Sequence, residues 1–126
     1  MTQQNKSAKI RASVAGATGY GGAELIRLLL AHPSVAMTRV SSIDRVGEPL
    51  EAVHLNLSQT GLTFEEVPLA EAARDDDLVF LGLPHKVSCT LAPELEELVA
   101  KVIDLSGDFR LKDKDVYEKF YGNVHP

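Results

Sequence analysis

Three glycines at three-residue intervals, Gly16, Gly19 and Gly22, with Gly21 beside the last, form a turn in Ala15-Gly-Ala-Thr-Gly-Tyr-Gly-Gly22. The turn follows Ile10-Arg-Ala-Ser-Val14, which reads as a strand, and opens directly into Ala23-Glu-Leu-Ile-Arg-Leu-Leu-Leu30, a helical pattern. Glycines there let the backbone approach a pyrophosphate, and the helix start offers unpaired N–H groups and the positive end of a dipole. The expected ligand is a dinucleotide, with Gly16, Thr18, Gly19, Tyr20, Gly21 and Gly22 at its phosphates. The spacing is G-x-x-G-x-x-G; the stricter G-x-G-x-x-G would need a glycine where Thr18 stands. The competing reading is a tight strand-to-helix turn with no ligand.

Further groups follow later strands. Ser41, Ser42 and Arg45 can cradle a ribose 2′-phosphate, whereas Asp44 suits a free 2′-hydroxyl and repels a phosphate. That balance favours NADP over NAD; the alternative is a solvated loop. Pro84, His85, Lys86 and Ser88 lie where a nicotinamide or its ribose would pass, unless His85 and Lys86 are exposed helix-start residues. Ser106, Gly107 and Arg110 add a hydroxyl, a flexible glycine and a guanidinium that can pair bidentately with a phosphate. Arg110 can instead pair with Asp108 or Asp113. Cys89, four residues after His85, can share its helix face, but a lone cysteine in an apolar-periodic helix reads better as core.

These loops need a scaffold. His32-Pro33 stops the first helix, and Val35–Val40 reads as a second strand leading into Ser41-Ser42. The polar stretch from Asp44 to Gly61 carries no clear element; Leu62–Val67 is β-like and Pro68–Arg74 weakly helical. Arg74-Asp-Asp-Asp77 ends that helix, and Leu78–Leu83 is a short apolar run expected of a central strand covered on both faces. Lys86–Ala100 has helical periodicity, with Pro93 opening a second helix or kinking a single one, and Val102–Leu105 is the next strand. Alternating strands and helices predict an α/β fold, a doubly wound parallel sheet of the Rossmann type. The loops at 16–22, 41–45, 84–88 and 106–110 then share one rim.

Composition narrows the classes further. With 126 residues, 44% hydrophobic, and a net charge of −5, the chain suits one domain with a core and offers no basic field for nucleic acid or anionic lipid. One cysteine excludes a disulfide framework and a multi-thiolate zinc site, and no metal site is expected. Residues 1–9 read as a flexible polar leader, lacking the apolar core of a signal peptide or a membrane span. A cytoplasmic location is the expectation.

Taken together, Gly16-Ala-Thr-Gly-Tyr-Gly-Gly-Ala-Glu-Leu25, Leu83-Pro-His-Lys-Val-Ser88, Val102-Ile-Asp-Leu-Ser-Gly-Asp-Phe-Arg-Leu111 and Val116-Tyr-Glu-Lys-Phe-Tyr-Gly122 closely resemble the N-acetyl-γ-glutamyl-phosphate reductase family of arginine biosynthesis. The resemblance spans residues 10–126, with aspartate-semialdehyde dehydrogenase as a more distant relative of the same layout. It implies an NADPH-dependent reduction of an acyl phosphate to an aldehyde with phosphate release. In that chemistry a cysteine thiolate displaces phosphate, and hydride collapses the resulting thioester. It further implies that Ser41, Ser42 and Arg45 lie near the adenosine ribose, Pro84 to Ser88 near the nicotinamide, and Arg110 at the substrate phosphate. Two departures stand out. Ile43 replaces an arginine common after the serine of the ribose loop, and the Asn-Pro-Gly-Cys nucleophile segment lies beyond this chain. By resemblance the chain is therefore an amino-terminal, dinucleotide-binding piece at 10–126 with no catalytic residue of its own, inactive alone, from a homo-oligomer whose substrate domain is absent. Two rivals remain. Short-chain reductases need Tyr-x-x-x-Lys, and Tyr20, Tyr117 and Tyr121 are followed at that spacing by Glu24, Tyr121 and His125. A non-catalytic NADP-binding module is favoured by the missing nucleophile and disfavoured by the Arg110 loop.

Overall fold

A computed structural model describes residues 8–66, 74, 76–84, 86–98, 101–122 and 124–125. Five strands form one parallel sheet: β1 (Ile10–Ala15), β2 (Val35–Ser42), β3 (Phe64–Glu66), β4 (Leu78–Leu81) and β5 (Lys101–Asp104), in the order β3-β2-β1-β4-β5. The chain proceeds outward from β1 to β3, then returns to β1's other side with β4. The switch point lies between β1 and β4, where open parallel sheets leave a crevice at the strands' carboxyl ends.

Four helices accompany the sheet among the described residues: α1 (Tyr20–Ala31), α2 (Leu50–Val53), α3 (Val87–Leu98) and α4 (Lys114–Tyr121). The strand period of two separates the faces. Val14 joins Ile26 and Leu29 of α1 with Val40, Leu50 and Phe64, whereas its neighbour Ala15 joins Val79, Leu81 and the α3 residues Leu91, Ala92 and Leu95. α1 and α3 thus cover opposite faces, which makes the sheet doubly wound. The strands' other ends are fixed far from the crevice: Asp77 Oδ2 accepts from the Arg11 amide at 2.9 Å, and buried Asp76 accepts from Thr38 Oγ1 at 2.7 Å.

Boundaries differ from the sequence reading in physical detail. β2 runs two residues beyond Val40, because Val40, Ser41 and Ser42 pair with β3. β3 is shorter than Leu62–Val67, since Leu62 and Thr63 turn instead toward α2: Leu62 O accepts from the Leu50 amide, and Thr63 bridges Pro49. The stretch 44–61, without clear pattern in sequence, contains α2. β5 begins at Lys101 and ends before Leu105. Pro93 neither starts nor divides a helix; it sits inside the continuous α3. The helix expected over Pro68–Arg74 lies almost wholly outside the described residues, as does the leader.

Candidate functional site

Gly16 ends β1 with φ +79°, and a Cβ there would stand 2.6 Å from the Gly82 carbonyl oxygen and 2.8 Å from Leu83 Cδ2. Both conformation and space demand glycine. A Cβ on Gly22 would press 2.9 Å from Ala17 Cα, so this glycine lets α1 sit against the turn. Gly19 and Gly21 differ: a Cβ at either meets nothing within 4 Å, leaving their outer side open.

The turn is held from inside. The amides of Gly16 and Ala17 both donate to the Ser41 carbonyl at 3.0 Å, and His54 Nε2 meets the Ala17 carbonyl at 2.5 Å. At its outer end, α1 begins with Gly19 in extended conformation, no side-chain cap and no acidic residue in its first turn. Its first amides and dipole are therefore free of an internal anion. Gly16, Gly19, Gly21 and Gly22 line a cleft with Gly82, Leu83, Pro84, Leu105 and Ser106. A cradle with open glycines beneath an uncapped helix start fits the pyrophosphate of a dinucleotide.

The remaining expected residues surround this cleft at different depths. Thr18 is half-buried, whereas Tyr20, at the start of α1, is 98% exposed. Ser41 and Ser42 are buried at the end of β2; Ser42 Oγ accepts the Arg45 amide at 2.7 Å, fixing the ribose-side loop. The exposed Arg45 guanidinium lies 3.4 Å from Glu48, and Asp44 and Ile43 are exposed. His85 lies outside the described residues. Ser88 is fully buried in the first turn of α3, its hydroxyl without a hydrogen bond among the described residues.

Ser106 belongs to a compact turn. Its amide and hydroxyl donate to the Asp104 carboxylate at 2.9 and 3.0 Å, and its Oγ accepts the Asp108 amide at 3.2 Å. Arg110 pairs with neither Asp108 nor Asp113; its guanidinium reaches the carbonyls of Leu105 and Ser106 and, at 3.5 Å, Tyr121 Oη. This exposed arginine keeps much of its charge unspent. A Cβ on Gly107 would collide with the Tyr121 ring at 2.4 Å, so α4 rides directly on the loop.

Asp108 was invisible to the sequence reading except as a possible partner of Arg110. It is buried, and its Oδ2 accepts the amides of Lys86 at 2.8 Å and Cys89 at 3.0 Å, in the manner of a helix cap supplied from another loop. Tyr117 Oη donates to its Oδ1 at 2.8 Å. Burial pushes the Asp108 carboxyl up, but the bonds from Tyr117, Cys89 and Lys86 outweigh it and hold it below the ordinary range. The same carboxylate acts on its neighbours. Burial, reinforced by Asp108, raises the Cys89 thiol and takes the Tyr117 phenol up to about 12. Cys89 Sγ donates to the Lys86 carbonyl at 3.0 Å. A buried thiol with a raised pKa is packing, as the sequence suggested, and a poor nucleophile.

Among the described residues, no helix is long and apolar enough to cross a membrane, and no three His, Cys, Asp or Glu residues cluster as metal ligands.

A glycine cradle at the switch point of a doubly wound parallel sheet defines a dinucleotide-binding domain of the Rossmann type. More particularly, the chain belongs to the family of semialdehyde dehydrogenase NAD-binding domains, whose family model matches residues 11–121. It is 47% identical over 117 residues to the N-acetyl-gamma-glutamyl-phosphate reductase of Methanosphaera stadtmanae, covering 93% of this chain and 34% of that one. It is 44% identical over 118 residues to the LysW-L-2-aminoadipate/LysW-L-glutamate phosphate reductase of Sulfurisphaera tokodaii, with coverages of 93% and 34%. The chain spans about a third of the length of these relatives. Its fold is shared with an aspartate semialdehyde dehydrogenase crystallised with NADP from Candida albicans, at a TM-score of 0.70 and 24% identity, over 86% of this chain and 32% of that one.

Proposed function

We propose that this chain is the cofactor-binding part of an NADPH-dependent reductase that converts N-acetyl-γ-glutamyl phosphate to N-acetylglutamate semialdehyde and inorganic phosphate. The observation that carries this reading is the single cleft in which the glycine turn, Pro84 and Ser106 meet, with Arg110 on the adjoining loop. One wall suits a dinucleotide; the other brings a cation toward a second phosphate. The names of two relatives above 40% identity, both phosphate reductases, support it. When bound, the nicotinamide supplies a hydride to the acyl carbon.

The chain's own residues bind and orient. The α1 amides and the turn hold the pyrophosphate, and the loop of Ser41, Ser42 and Arg45 takes the ribose 2′-phosphate. Pro84 borders the nicotinamide end, where the resemblance also implies His85 and Ser88. Arg110 attracts the substrate phosphate, whose geometry a guanidinium matches bidentately, and Ser106, turned onto Asp104, shapes the loop at that phosphate. Cys89 is not the acyl acceptor, and no turnover is expected of these 126 residues by themselves. A homo-oligomeric, cytoplasmic whole enzyme completes this reading. A LysW-linked acyl phosphate is the second reading, favoured by the 44% identical relative.

Titration calorimetry with NADPH, NADP and NAD tests the cofactor assignment. Tighter binding of the 2′-phosphorylated forms is expected, with Arg45→Ala erasing about tenfold of that preference. Stronger NAD binding overturns the NADP reading. Joined to the remainder of the enzyme, the chain is expected to support reduction of the acetylated acyl phosphate, while exclusive use of a carrier-linked substrate selects the second reading.

A further inference from the structure

We infer that His54 is a positioning residue for the glycine turn, aiming the Thr18 amide at the pyrophosphate; this rests on the dinucleotide reading above. Nothing in the sequence draws attention to His54, which sits in the stretch without clear periodicity. The fold brings it 37 positions back along the chain to the Ala17 carbonyl. It caps α2 with its own amide on Leu50 O at 2.9 Å, receives the Leu57 amide on its carbonyl, and sets its ring edge-on against Phe64 at 6.5 Å. Only 7% exposed, it is held by backbone on both sides and by an aromatic wall.

A carbonyl oxygen can only accept, so Nε2 must carry the proton in this contact. In a trans peptide the C=O and the following N–H point in opposite directions across one plane. Anchoring the Ala17 carbonyl to a buried histidine therefore turns the Thr18 N–H away from the interior. The two preceding amides, Gly16 and Ala17, are already spent on Ser41 O, and the Thr18 amide makes no hydrogen bond among the described residues. Thr18 is thus the first amide of the turn left for an outside acceptor, and His54 determines its direction. Without the anchor, the peptide can rotate, and an outward carbonyl would repel a phosphate where an N–H should attract it.

The test uses the whole chain and inorganic pyrophosphate and NADP as probes. A long-range proton–nitrogen spectrum of the wild-type histidines is expected to show His54 protonated on Nε2 at about pH 8; a bare Nε2 overturns the inference regardless of any variant. In isotope-labelled protein, pyrophosphate is expected to shift the Thr18 amide resonance. His54→Phe keeps an aromatic ring beside Phe64 and loses the donor; both probes should bind about tenfold more weakly. His54→Gln, with an amide N–H of similar reach, should recover most of that loss. Unchanged affinity in folded His54→Phe, or folded His54→Gln binding no better than the phenylalanine variant, overturns the inference. If His54→Phe does not fold, His54→Gln within about threefold of wild type supports it and a tenfold loss overturns it. Wild-type chain that binds pyrophosphate through Thr18 but neither NADP nor NAD defeats the dinucleotide reading while supporting the role of His54. Binding of neither probe defeats both.

Discussion

Tyr117 Oη donates to Asp108 Oδ1 at 2.8 Å, while the opposite carboxylate oxygen receives the amides that begin α3. One buried carboxylate thereby joins three segments: the loop after β4, the loop after β5, and α4. Stacking of Tyr117 on Tyr121 at 4.8 Å, with Tyr121 against Gly107, extends the clasp to the loop that carries Arg110.

Asp108→Asn should loosen this junction. A neutral amide caps α3 less strongly, and its NH2 forces the Tyr117 hydroxyl to turn from donor to acceptor, so a loss of about 1–3 kcal/mol is expected in urea unfolding. The lowered carboxyl pKa fixes the sign with pH. Its stabilisation is complete above the unfolded value of about 3.9 and fades as pH falls through the lower folded value, so the variant should lose less stability on acidification than wild type.

Tyr117→Phe tests the alkaline side. The raised phenol means that folding holds it protonated; its contribution is whole below about pH 10 and lost as pH rises toward about 12. Wild type should therefore show a decline in urea midpoint over that interval that the phenylalanine variant lacks. Parallel curves would refute a phenol held protonated by burial and by Asp108.

Two glycine variants should separate stability from binding. Gly16→Ala places a side chain at φ +79° and against Gly82, costing about 2 kcal/mol or more and lowering the thermal midpoint. Gly21→Ala meets no atom within 4 Å and improves helix propensity by about 0.5 kcal/mol, yet it fills the open side of the cradle. Its thermal midpoint should hold or rise while NADP affinity falls about tenfold in calorimetry.

Cys89 should resist a maleimide at neutral pH. Buried and raised, it is expected to react at least about tenfold more slowly than a free model thiol, with the rate increasing as pH rises beyond about 8.5. Rapid labelling at pH near 7 in the folded state would restore it as a nucleophile candidate.

The sheet was legible because its pattern is local. Leu78–Leu81 is wholly apolar, as suits a strand covered on both faces, and the Ala15–Gly22 turn announces itself through residues whose backbone freedom is needed on the spot. α2 was not legible: four residues cannot display helical periodicity, and its position depends on backbone bonds to Leu62. Asp108 and His54 escaped for a related reason. Their partners lie 19 and 37 residues away, at distances that only the closed fold defines. Arg110 was found by chemistry, but its actual tethers, the carbonyls of Leu105 and Ser106, carry no side-chain signature.

The helix starts are unequally fitted. α3 receives Asp108 and α4 receives Asp113 at their amino ends, whereas α1 begins without a carboxylate. Among the described residues, two of the three longer helix dipoles are thus silenced and one is left audible. An anion drifting along this rim is thus addressed to the glycine turn by what was withheld there, and a single acidic residue at the start of α1 would erase the address while leaving every strand in place.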